Sequence, residues 1–182
     1  LLRSIAKPTQ CLAPPRIKPR DGLRVEPAMT LTNLMGATLP GMFITQNRIE
    51  DRRMNMEQLL ERASFAREKA YAPYSKFKVG AALLTRDGQV FDGCNVENAA
   101  YGLCNCAERT AFFSAIAAGY RRDQFAALAV IGDTDGPIAP CGACRQVILE
   151  LGGPDLPIRL GNLRGATRDT TAREQLPDAF YL

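Results

Sequence analysis

A chain of 182 residues with no histidine has few ways to fold around a transition metal, because any such site must use thiolate or carboxylate. This chain carries Cys106-Ala107-Glu108 and, 35 residues after Cys106, Pro140-Cys141-Gly142-Ala143-Cys144. Zn²⁺ takes cysteine sulfur at roughly 2.3 Å in a four-coordinate shell, and a catalytic site keeps three protein ligands with the fourth position open to water. Cys106, Cys141 and Cys144 can supply that shell only if the fold brings two distant segments together. Both segments fall at predicted helix starts, where unpaired N–H groups and the helix dipole favour thiolate.

Charge decides what else such a site needs. Three thiolates over-neutralise Zn²⁺ to a net −1, which weakens its hold on a water proton compared with histidine-rich sites. Arg109, three residues after Cys106 and so on its side of a helix, could donate to ligand sulfur. Gln146, two residues after Cys144, is a second candidate for that role. Glu108 is the nearby carboxylate, a candidate to carry protons. Spacing alone does not aim it at the metal, since residues two apart on a regular helix point in nearly opposite directions. Two other readings of the cysteines stay open: a closed four-thiolate structural site that adds Cys104, and a redox pair at Cys141 and Cys144. The Cys104-x-Cys106 spacing is one residue tighter than usual for the former.

Composition narrows the class. Residues 1–53 carry nine Lys/Arg against four Asp/Glu, and residues 54–182 carry fourteen against fifteen. The near-neutral second part, with no Trp in the chain, lacks the basic stripe interleaved with aromatics that a nucleic-acid binder needs. With no long apolar span or signal peptide recognised, a cytoplasmic chain with reduced cysteines is expected, and no membrane partner. Residues 1–53 hold six of the twelve prolines and no sustained period of 3.6 or 2, so they read as a disordered or non-native extension, with a targeting peptide as the alternative.

From residue 54 onward the pattern is that of one domain. Asn55 with Gln58 forms a candidate capping box, and apolar residues recur at Met56, Leu59, Leu60, Ala63, Ala66 and Ala70, predicting a helix that ends before Pro73. Residues 77–84 and 90–91, separated by Asp87-Gly88, predict a hairpin. Helices are predicted over 106–118 and 141–151, with strands over 125–131 and 158–160. Two strands followed by alternating helices and strands imply a layered α/β domain with a mixed sheet.

With these residues in place, residues 54–182 resemble the small homotetrameric, zinc-dependent cytidine deaminases. The resemblance rests on Tyr71-Ala72-Pro73-Tyr74-Ser75-Lys76-Phe77-Lys78-Val79-Gly80-Ala81-Ala82-Leu83, on Gly93-Cys94-Asn95-Val96-Glu97-Asn98-Ala99-Ala100-Tyr101, on Cys106-Ala107-Glu108-Arg109-Thr110-Ala111 and on Pro140-Cys141-Gly142-Ala143-Cys144-Arg145-Gln146. Zinc-dependent nucleobase deaminases are known for a metal shell of this kind, with a glutamate that acts as general acid/base and not as ligand.

The resemblance implies a three-layer α/β/α sandwich around a five-stranded mixed sheet, assembled as a homotetramer with composite sites. It implies Zn²⁺ on Cys106, Cys141 and Cys144, and Glu108 as proton shuttle in the attack of zinc-bound hydroxide at C4 of cytidine or 2′-deoxycytidine. Asn95 and Glu97 resemble a pair that hydrogen-bonds the ribose hydroxyl, Phe77 a residue that packs on the pyrimidine, and Tyr101 a ribose-side contact from a neighbouring subunit. Ala107 falls among the substrate-binding positions, and Phe180 resembles an aromatic that closes an adjacent subunit's site. Cys104 reads as a buried spectator. The competing functions are the same chemistry on an aminoglycosyl-cytosine antibiotic such as blasticidin or on a polynucleotide, and a non-catalytic interaction module stabilised by zinc on four cysteines.

Overall fold

Asn55 opens the first helix, α1 (Met56–Glu68). Its side chain accepts from the Gln58 N–H at 2.9 Å, and the Gln58 amide oxygen accepts from the Asn55 N–H at 3.0 Å, so two otherwise unpaired donors are satisfied reciprocally. A computed structural model describes residues 54–180, all within one unit, Gln46–Leu182. The expectation for residues 1–53 therefore lies outside the described residues. α1 stops at Glu68, short of the residue before Pro73, because Tyr71 pairs in extended conformation with Val96, which helical backbone cannot do.

The hairpin forms as β1 (Val79–Thr85) and β2 (Val90–Cys94). β1 begins two residues later than the apolar pattern predicts, because side chains take the preceding carbonyls: Asn95 Nδ2 donates to Phe77 O at 2.8 Å and Arg67 Nε to Lys78 O at 3.1 Å. There follow a short 3₁₀ turn (Tyr101–Leu103), α2 (Ala107–Ala117), β3 (Phe125–Gly132), α3 (Gly142–Gly152), β4 (Pro157–Asn162), β5 (Thr167–Thr171) and the single turn α4 (Ala172–Gln175). The sheet order is β2-β1-β3-β4-β5. β3 and β4 run parallel and every other pair is antiparallel, which is the mixed five-stranded sheet expected. β5 escaped the residue pattern because Thr-Arg-Asp-Thr-Thr at a sheet edge has no apolar face to alternate.

Central β1 is buried along its whole length, and its two faces feed two cores. Val79, Ala81 and Leu83 meet α2 and α3 through Ala111, Phe112, Cys144 and Ile148. Ala82 and Leu84 meet α1 through Leu59 and Ala63. Helices on both faces of one sheet give the three-layer α/β/α sandwich. The approach of α2 to the sheet is close because β2 offers Gly93: a Cβ there would lie 2.1 Å from Ala107 O and 2.7 Å from Ala111 N. This contact fixes the height of the first turn of α2, which carries Cys106 and Glu108.

Candidate metal centre and active site

Cys106 and Cys141 are the N-caps of α2 and α3, with extended backbone (φ −80°, ψ 158° and φ −66°, ψ 163°). Neither side chain caps its own helix, so both sulfurs are free to point at a common centre. Cys144, in the first turn of α3, is buried. The three Sγ atoms lie within 4.8 Å of one another, with 4.0 Å between Cys106 and Cys141. A tetrahedral ion with 2.3 Å bonds to sulfur requires S···S separations of roughly 3.8 Å, so the donor set and its spacing fit Zn²⁺. Among the described residues, this is the cluster placed to hold a metal.

Cys104 stands apart from it. Its sulfur faces Asn98, 3.2 Å from that N–H and 3.5 Å from its carbonyl oxygen, so the closed four-thiolate reading loses its fourth ligand. Cys104 is half-buried and hydrogen-bonded, not the buried spectator expected. The five cysteines of the described residues are all free.

Arg109 Nη2 donates to Cys104 O at 3.1 Å and lies 3.6 Å from Cys106 Sγ. The Cys106 thiol is brought down to about 5, first by a hydrogen bond from Cys144 and then by Arg109. The same hydrogen bond, with burial and the Glu108 carboxylate beside it, pushes Cys144 up. A divalent cation bound here would displace the thiol protons of the cluster. Glu108 is 4 % exposed, and burial pushes its carboxyl above the usual range, with the Cys106 anion adding to the effect. Glu108 stands in the first turn of α2 directly after the Cys106 N-cap, and the Cys144 thiol opposes the upward shift of its carboxyl.

The sugar-side candidates are clamped by the backbone they face. Asn95 Nδ2 donates to Phe77 O and its Oδ1 accepts from Val79 N–H, both at 2.8 Å. Glu97 Oε2 accepts from Tyr74 N–H at 2.9 Å and Ser75 N–H at 3.2 Å, and Oε1 accepts from the Ser75 hydroxyl. That hydroxyl is the main reason the Glu97 carboxyl titrates below its ordinary value. Asn95 keeps one N–H and one oxygen lone pair spare, and Glu97 keeps one lone pair. Tyr74, Ser75, Glu97, Tyr101 and Cys104 line a cleft of about 270 Å³. Tyr101 is 77 % exposed on the 3₁₀ turn. Phe77 is 39 % exposed, with Cζ 3.5 Å from where a Cβ on Gly132 would sit. Ala107 is wholly buried in the core, so neither its side chain nor its backbone is open to a ligand in this structure.

Two candidates lie elsewhere. Gln146 and Phe180 line a depression of about 350 Å³ with Phe113, Val147, Glu150 and Leu151, and no hydrogen bond joins Gln146 to a ligand sulfur. Sequence reasoning missed Arg145, whose Nε donates to Pro140 O at 2.8 Å and whose Nη1 donates to Gln175 O at 3.1 Å. It ties the segment before Cys141 to the end of α4. A basic residue four after an N-cap gives no signal by itself.

Fold and site together define an α/β/α protein of metal-binding type, in which two helix N-termini bring three cysteine sulfurs together near a buried carboxyl. The model of the cytidine and deoxycytidylate deaminase zinc-binding region matches residues 53–159. A cytidine deaminase of Sporosarcina psychrophila is 55 % identical over 127 residues, 70 % of this chain and 92 % of that protein. The crystal structure of cytidine deaminase from Burkholderia pseudomallei superposes with a TM-score of 0.69 at 68 % identity, covering 70 % of this chain and all of that one. That of the Mycobacterium tuberculosis cytidine deaminase gives a TM-score of 0.60 at 43 % identity, over 69 % of this chain and 97 % of that one. The chain belongs to the cytidine and deoxycytidylate deaminase family.

Proposed function

We propose that the chain catalyses the hydrolytic deamination of cytidine and 2′-deoxycytidine, with water as co-substrate and uridine or 2′-deoxyuridine plus ammonia as products, in pyrimidine salvage. The observation that carries this reading is the buried Glu108 carboxyl beside the three converging sulfurs of Cys106, Cys141 and Cys144. Those sulfurs would hold Zn²⁺, which when bound supplies the Lewis acidity that makes water a nucleophile near neutral pH. The attacking water's proton passes to Glu108, which delivers it to the pyrimidine ring nitrogen and then serves the departing amine, so one carboxyl acts as base and acid in turn. A carboxyl raised by burial suits both directions. Arg109 offsets the excess negative charge of the thiolates, from 3.6 Å away on Cys106.

Asn95 and Glu97 bind the sugar hydroxyl with their remaining donor and acceptor positions, already oriented by the backbone they clamp. Phe77 packs on the base. Tyr101 and Phe180, 77 % and 67 % exposed, are the residues offered to neighbouring subunits in a homotetramer with composite sites. Residues 54–182 form the catalytic domain and residues 1–53 an extension to it. Among the described residues no helix is long and apolar enough to cross a membrane, in keeping with a cytoplasmic enzyme.

The test is an ultraviolet assay of cytidine, cytidine monophosphate and blasticidin, with and without a strong chelator. Cytidine turnover that the chelator abolishes and added Zn²⁺ restores is the expected result. Turnover unaffected by metal removal, or confined to one of the other two compounds, would overturn the reading.

A further inference from the structure

Thr110 sits one turn into α2 and its hydroxyl is used three ways. Oγ1 accepts from Asn105 Nδ2 at 3.1 Å and shares its hydrogen between Cys94 O at 3.0 Å and Cys106 O at 3.2 Å. Cys106 O also accepts the Thr110 N–H at 3.0 Å, so the peptide of this metal-ligand candidate is held from both the backbone and the side chain of one residue. Asn105, immediately before Cys106, pairs its own backbone with Val96 in both directions at 2.9 Å. Val96 lies between Asn95 and Glu97, the proposed sugar contacts, and Cys94 precedes them. A threonine hydroxyl bonded to the carbonyl four residues back is common inside helices. Here the same hydroxyl also reaches β2 and the residue that anchors the 95–97 segment.

We infer that the Asn105–Thr110 pair is a positioning strut that, together with the Asn105–Val96 backbone pairing, locks the proposed sugar-recognition segment (Cys94–Glu97) to the proposed metal ligand Cys106 and so holds the spacing between sugar subsite and metal. The inference rests on the function proposed above. Neither residue touches the reacting atoms; both act through Cys106 and the 95–97 segment. A residue that only stabilised the fold would change the fraction of active protein. The strut changes the properties of each folded molecule, because a loosened Cys106 holds zinc less well and a displaced 95–97 segment binds the sugar less well.

The experiment uses the purified holoenzyme. Thr110→Val keeps the shape of the side chain and removes the hydroxyl, Thr110→Ser keeps the hydroxyl, and Asn105→Ala removes the other half while leaving the backbone pairing with Val96. Zinc release to a colorimetric chelator, and KM and kcat for cytidine, are measured for each and for the Asn105→Ala/Thr110→Val double variant. Thr110→Val is expected to release zinc at least ~10-fold faster and to lose roughly 10- to 100-fold in kcat/KM, with KM raised as well as kcat lowered. Thr110→Ser stays within about threefold of wild type, and the double variant costs no more than the worse single one, since the two residues act as a unit. Unchanged zinc release and KM in folded Thr110→Val, or full additivity of the two substitutions, overturns the strut. Where Thr110→Val does not fold, Asn105→Ala carries the same expectation. A wild-type protein that holds zinc but leaves cytidine untouched sinks the proposed substrate alone, and zinc release still decides the strut. A protein that binds no zinc sinks both.

Discussion

Replacing Gly93 with alanine tests how the sheet sets the site. The added methyl would lie 2.1 Å from Ala107 O, 2.7 Å from Ala111 N and 3.0 Å from Ala111 Cβ. Two of these are backbone atoms of α2, so no rotamer change relieves the clash. Ordinary contact begins near about 3.4 Å, and the helix must withdraw by about 1.3 Å at its first turn. Overpacking of this kind costs typically ~1–3 kcal/mol, and a clash with backbone belongs at the upper end. For a domain of this size that lowers Tm by on the order of 10 °C. The chemistry suffers separately, because Cys106 and Glu108 ride on the displaced turn while Cys141 and Cys144 stay with α3. A misplacement near 1 Å costs about 100-fold in rate. The assay is cytidine turnover and zinc content of the folded variant, measured well below its own Tm. Gly136→Ala is the control: nothing lies within 4 Å of its added methyl, and a change within about 0.5 kcal/mol is expected. Wild-type kcat/KM and full zinc occupancy in Gly93→Ala would refute the reasoning.

Glu108→Gln keeps the size of the side chain and removes the ionisable carboxyl proposed to carry protons. kcat for cytidine should fall roughly 10²- to 10⁴-fold while zinc content, measured by elemental analysis, stays at the wild-type level. Glu97 titrates below its ordinary value because Ser75 and the Tyr74 and Ser75 N–H groups donate to it. Its contribution to stability is therefore complete above the ordinary carboxyl range and is lost as pH falls through the lowered folded value. Urea unfolding followed from pH 6 down to pH 3 should show a shallower acid loss in Glu97→Gln than in wild type, and identical slopes would count against the clamp.

Much of this fold was legible because local rules and packing agree in it. The capping box at Asn55 and Gln58 and the apolar run of β1 each forced one answer. What escaped were segments whose fate is decided by distant partners: Phe77 and Lys78, whose carbonyls are taken by Asn95 and Arg67, and β5, an edge strand with no apolar face. The donors on Glu97 were also out of reach, since Tyr74 and Ser75 lie more than twenty residues before it and only the folded loop brings them together.

The site shows the same division at a single spacing. Glu108 follows Cys106 by two residues, and Gln146 follows Cys144 by two. On a regular helix that offset turns the second side chain to the far face. It does so for Gln146, because Cys144 is already inside α3, and Gln146 ends in the depression with Phe180. It does not for Glu108, because Cys106 is an N-cap with ψ of 158°, and an extended residue ahead of the first turn is outside the helical period. A cysteine one residue before a helix can thus share a centre with the residue at the helix's second position. That relation is what would let the proposed metal ligand and the proposed proton carrier lie two residues apart in one short motif.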